Sequence, residues 1–137
     1  MAKLICHMMI KQYIAAFIGA GLGACLRLCL STLNGCFRHT ITWLPLGTLI
    51  SNVLGGLLAA VVLGVLQDVK LSETVKVFIM TGLLGGLTTF STFSVEVFSL
   101  LLSHKWLYGL GLVMIHVALT LLAVALGFMV ARTYIHL

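Results

Sequence analysis

Four apolar runs, at residues 13–33, 46–66, 75–102 and 107–131, fill most of this 137-residue chain, and no connection between them exceeds 12 residues. Each can cross the hydrocarbon core of a bilayer, which takes about 20 helical residues. Lipid offers backbone N–H and C=O groups no partners, so spanning runs of this length must be helices. The expected fold is an all-α integral membrane protein, a single domain of four transmembrane helices over residues 1–137. The chain is 61% hydrophobic and 8% charged, with mean hydropathy +1.21. A soluble domain carries about a quarter charged residues, so the functional groups are to be sought inside the membrane.

Lys and Arg outnumber Asp and Glu by eight to three. The basic residues mostly flank the apolar runs, where they anchor helices at the headgroups, so no nucleic-acid partner is expected. The N-terminus starts like a signal peptide, but its apolar run continues to Leu33 with no small-residue cleavage site; a retained first helix is expected. An even number of spans puts both termini and the 67–74 connection on one side, with Lys3, Lys11, Lys70, Lys76 and Arg132, against Arg38 and Lys105 on the other. That is a mild bias toward cytoplasmic termini. No internal repeat is visible, so an inverted repeat of the transporter kind would have to come from a second chain.

Connecting segments carry recognisable punctuation. Trp43 and the only proline, Pro45, precede the second run, Ser72 is placed to cap the third, and His104 and Lys105 mark a tight turn before the fourth. Cys6, Cys25, Cys29 and Cys36 follow neither a redox nor a zinc spacing, and His7, His39, His104 and His136 sit near span ends; no transition metal is assigned.

The polar residues within the runs narrow the possibilities. Gly19, Gly23 and Arg27 are four apart, so a close-approach surface and a cation share one helical face. Arg27 either snorkels outward or faces an interface or aqueous vestibule, where it would attract anions. Thr48, Asn52 and Gly56 form a stripe on the second helix. Asn52 is either interhelical glue or an N–H donor for an anion.

The third run contains GLLGGLTTFSTFS and is expected to break, because Gly82, Gly85 and Gly86 weaken the helix while Thr88, Thr89, Ser91, Thr92 and Ser94 can bond the freed backbone. Unwound carbonyls suit a hard monovalent cation. Phe90 and Phe93 are core packing or positive ring edges for an anion. Glu96, the only acid within the runs as drawn, is a polar partner or a gate element, and His116 and Thr120 are interhelical glue or part of a polar track. No catalytic triad, carboxylate pair or phosphate loop accompanies them, so no enzyme is expected.

Over essentially its whole length the chain resembles the Fluc/CrcB fluoride channels. The resemblance rests on GAGLGACLR ending at Arg27, PLGTLISNVLGG around Asn52, and GLLGGLTTFSTFSVE from Gly82 to Glu96. It implies a fluoride-selective channel in the cell inner membrane of a bacterium, exporting fluoride passively and relieving its toxicity. It also implies four helices with a broken third, assembled as an antiparallel homodimer in membrane lipid. Phe90 and Phe93 would coordinate fluoride, Asn52 would line the pore, and Arg27 would be a vestibule cation. Ser91, Thr92 and Thr120 would extend the track. A structural sodium ion would bind backbone carbonyls at Gly85 and Thr88. Many members carry a tyrosine and serines along the fourth helix, where this chain has His116 and Thr120. Two other readings fit four short helices: a small proton-coupled drug exporter, which needs a titratable acid in an open cavity, and a non-transporting scaffold subunit.

Overall fold

The computed structural model describes residues 2–36 and 43–135, with the side chains of 8–35 and 43–134. The side-chain readings at Lys3, Cys6, His7, Cys36, Arg38, His39 and His136 lie outside these described residues. Among the described residues every regular element is helical: α1 (Ala2–Ser31), α2 (Leu33–Cys36), α3 (Leu46–Leu66), α4 (Glu73–Lys76), a π-helix (Val77–Leu84), α5 (Gly85–Leu87), α6 (Phe90–Leu102) and α7 (Trp106–Ile135). Four stretches are long and apolar enough to span a membrane: Met8–Gly35, Leu46–Leu66, Glu73–Leu102 and Trp106–Tyr134. α1 begins well before the apolar run because Ala, Leu, Met, Lys and Gln all propagate a helix outside lipid.

Local chemistry fixes the ends of the third span. The Ser72 hydroxyl accepts from the Val75 N–H at 3.4 Å, capping α4. At the other end the Lys105 N–H donates to the Leu100 carbonyl at 2.9 Å and the His104 N–H to Leu101 at 3.0 Å, with His104 at φ 57°. This is a Schellman closure with histidine where glycine is usual.

The glycines expected to unwind the third span do something else. Gly85 and Gly86 are helical, while Thr88 (φ −78°, ψ 155°) and Thr89 (φ −152°, ψ 111°) are extended, so the ladder ends with the Thr88 N–H donating to the Leu84 carbonyl at 3.0 Å and helix resumes at Phe90. Gly82 and Gly86 instead admit α1. A Cβ at Gly82 would lie 2.9 Å from both the Ala16 carbonyl and the Gly19 Cα, and one at Gly86 would lie 2.5 Å from the Ala20 carbonyl. Gly19 and Gly23 meet the same backbone from the other side, at Leu83 and Leu87. Small residues on both helices thus bring the backbones together, which favours dispersion where lipid gives no hydrophobic drive.

The second close pair is α3 with α7. Gly127 lies against the Leu57 carbonyl, Gly64 against Ala131, and Gly56 against Thr120. Leu112 and Ser51 are fully buried, whereas Phe17, Leu28 and Leu107 point outward, which costs little where the surrounding solvent is lipid.

Candidate ion pathway

Asn52 determines how the extended residues are held. Its Oδ1 accepts from the Thr89 N–H at 2.8 Å and its Nδ2 donates to the Thr89 carbonyl at 3.2 Å. In an unbroken helix the Thr89 N–H would donate to the carbonyl of Gly85; here it is diverted to α3, and that carbonyl loses its helical donor. Asn52 therefore holds the backbone on both sides of the Thr89 Cα, with one amide hydrogen uncommitted among the described residues. Thr89, only 6% exposed, is also the N-cap of α6: its Oγ1 accepts from the Thr92 N–H at 3.2 Å and donates to the Thr92 hydroxyl at 2.9 Å. Ser91 Oγ lies 3.3 Å from the same Oγ1.

A cavity of about 520 Å³ opens beside Thr89; among its mostly apolar lining are the polar residues Asn52, Thr88, Thr89, His116 and Thr120 and the rings of Phe90 and Phe93. The two phenyl centroids are 5.8 Å apart. Phe93 stands 4.6 Å from the imidazole of His116, with the planes at 37°. Gly85 also lines this cavity. Residues from α3, the third span and α7 are thus brought to one place.

Arg27 and Glu96 lie outside that cavity. Arg27, on the face that Gly19 and Gly23 press against the third span, lines a space of about 340 Å³ with Ser31, Thr48, Thr89 and Thr92. It therefore stands near the N-terminus of α6, where a guanidinium and the helix dipole both favour an anion. Glu96 Oε1 accepts from the Thr48 hydroxyl at 2.6 Å, and its Oε2 is buried without a partner among the described residues. Glu96 opens onto a third cavity, of about 540 Å³, with Asn34, Trp43, Ser99, Ser103 and Lys105. The Trp43 ring packs against Tyr108, with centroids 5.4 Å apart.

Of the residues singled out from sequence, Asn52, Gly85, Thr88, Phe90, Phe93, His116 and Thr120 share one cavity. Arg27 and Thr92 share another. Ser91 and Glu96 belong to neither of these two. Thr48 and Thr89 were missing as site residues. Thr48 was visible as the residue one turn before Asn52, but the Thr48–Glu96 and Asn52–Thr89 bonds join positions 48 and 37 residues apart, which no spacing rule reaches. A further inter-helix cap, the Gly47 N–H donating to Asn34 Oδ1 at 2.7 Å, also escapes local pattern.

Residues 14–128 match the family model described as CrcB-like protein, Camphor Resistance (CrcB). A Psychrobacter cryohalolentis protein named fluoride-specific ion channel FluC is 53% identical over 119 residues, covering 85% of this chain and 94% of that protein. Proteins of the same name from Escherichia coli and Burkholderia cenocepacia are each 44% identical, covering 89% and 93% of this chain and 95% and 98% of their own lengths. On the length of that match and the identity of these relatives, the chain belongs to the CrcB family.

Proposed function

We propose that this chain is a subunit of a fluoride-selective channel that lets fluoride leave a bacterial cell passively across the inner membrane, relieving its toxicity. The observation that carries this is the convergence of Asn52, Phe90, Phe93, His116 and Thr120 on one cavity, in a chain whose relatives are named fluoride-specific ion channels. Fluoride is small and tightly hydrated, so a passage must replace its water with many weak partners and still release it. The uncommitted Asn52 hydrogen and the hydroxyls of Ser91, Thr92 and Thr120 supply donors, and the edges of Phe90 and Phe93 supply positive potential without a fixed charge. Arg27 concentrates anions at the entrance, and Glu96 serves as the polar partner of Thr48. Ion passage of this kind requires no enzymatic chemistry.

A sodium ion fits the carbonyls of Gly85 and Thr88. The Gly85 carbonyl has lost the Thr89 N–H to Asn52, and Thr88 is extended, so oxygen atoms are freed where lipid forbids leaving them bare. Bound there, the ion would be structural. Two residues are an incomplete ligand set for a hard cation, and Phe90 is 80% exposed on the single chain. An antiparallel homodimer would complete both. The drug-exporter reading is disfavoured, because Glu96 is bonded to Thr48 and the cavity it opens onto is also lined by a cation, Lys105.

Reconstituting the purified chain in liposomes and recording fluoride, chloride and proton efflux tests the function. Fluoride efflux without chloride efflux is expected. Equal passage of both anions, or no passage of either, refutes it.

A further inference from the structure

His116 is buried within the membrane-spanning part of α7, 4% exposed, and its two ring nitrogens differ in kind. Nδ1 lies 3.1 Å from the carbonyl of Leu112, one turn earlier. A carbonyl only accepts, so this contact is a hydrogen bond when Nδ1 carries the hydrogen. The neutral ring then has a lone pair on Nε2, and Nε2 is buried with no hydrogen-bond partner among the described residues. Neutral His116 thus carries an unmatched acceptor on a cavity whose other lining groups are mostly apolar, with Asn52, Thr88, Thr89 and Thr120 the polar exceptions. An anion is repelled by that lone pair, and a proton on Nε2 reverses the interaction.

We propose that His116 is a proton-dependent anion ligand: with Nδ1 committed to Leu112, its Nε2 donates to a passing anion only after taking up a proton, so flux through this chain rises on acidification. This rests on the fluoride-channel reading above and adds regulation to the same site. The proton comes from water reaching the cavity and returns to it, and no other bond is made or broken. The Phe93 ring, 4.6 Å away, favours a cation at this position. An imidazolium that can lose its proton also avoids the trapping a permanent lysine charge would cause, because the anion is released when the ring becomes neutral.

The elements packed against α7 leave few other candidates for such a response. α3 contains no titratable or charged residue, and α6 contains only Glu96, which is bonded to Thr48 and opens onto a different cavity. α7 itself adds Tyr108, Arg132 and Tyr134, none of which lines the His116 cavity.

The test is fluoride efflux from liposomes carrying the full chain at about pH 6 and about pH 8, bracketing the range in which histidine changes charge. Leak of the neutral acid, measured in protein-free liposomes, is subtracted. Parental efflux is expected to be at least about threefold faster at the lower pH, a modest part of the response a titrating histidine allows. His116→Ser and His116→Gln, whatever their absolute rates, should give a ratio near one, and Glu96→Gln should keep the parental ratio. A parental ratio near one overturns the inference without recourse to any variant. So does a parental ratio preserved in both His116 variants, or abolished by Glu96→Gln alone. A parental chain that passes no fluoride at either pH overturns the channel reading itself.

Discussion

Replacing Asn52 with alanine removes both hydrogen bonds to Thr89, of 2.8 and 3.2 Å, and leaves the N–H and C=O of a residue only 6% exposed. A neutral hydrogen bond contributes about 1 kcal/mol net, and a stranded buried group costs about 1–3 kcal/mol. In membranes the mean measured value is closer to 0.6 kcal/mol, because the altered protein finds other partners. One such partner is available here: the Thr89 N–H could turn back to the Gly85 carbonyl if residues 88–89 became helical. We therefore predict a loss of about 2 kcal/mol in the preference for the extended conformation, roughly 30-fold in its population. Hydrogen exchange at the Thr89 amide, read alongside fluoride efflux and thermal unfolding in detergent, reports this directly. Asn52→Ala should speed exchange and lower efflux by about tenfold or more, the factor that 1.4 kcal/mol represents. Parental exchange and parental efflux in an Asn52→Ala protein that assembles normally would show that the amide does not hold the extended residues and that the pathway lies elsewhere.

Phe90→Ile should lower fluoride efflux by about tenfold while the protein still folds, since the ring is 80% exposed on the chain and its loss leaves little cavity; Arg27→Ala should have a smaller effect that grows at low ionic strength, where screening weakens. Parental efflux from Phe90→Ile at every salt concentration would remove the ring from the pathway. Exchanging sodium for a large organic cation is expected to abolish efflux, and undiminished rates in dialysed, sodium-free liposomes would count against the Gly85 and Thr88 site. Gly23→Val places branched carbon against the backbone of Leu83 and Leu87, and a drop of about 1–3 kcal/mol in unfolding free energy is predicted, whereas Gly21→Val, with nothing within 4 Å of its Cβ, should leave stability nearly unchanged. His104→Val forces a β-branched residue to φ 57° and should lower the unfolding midpoint, a change His104→Gly should not cause.

The sequence by itself determined the solvent, the number of spans and the class of secondary structure. The apolar length of a run and its exclusion of charge are local properties, and lipid admits only a helix for such a run. The caps and the tight turn were equally legible at Ser72 and His104, because a hydroxyl or a left-handed residue acts within a few positions of itself. The motifs also marked Asn52, Phe90 and Phe93 as worth following. What each one touches was decided only by tertiary structure. The glycines of the third span pattern as helix breakers, yet Gly82 and Gly86 are where α1 lies against the backbone, and the extended residues are the threonines that follow. Asn52 patterns as interhelical glue or a donor for an ion, and only the fold shows that it bonds both backbone groups of Thr89 while Thr48, one turn earlier, meets Glu96. Helical periodicity says which face a side chain occupies, but only the packing of α1, α3 and α7 around the third span says which face lies opposite. Hydrogen bonds fall off within a few tenths of an ångström, so their partners are settled by that packing and not by spacing along the chain.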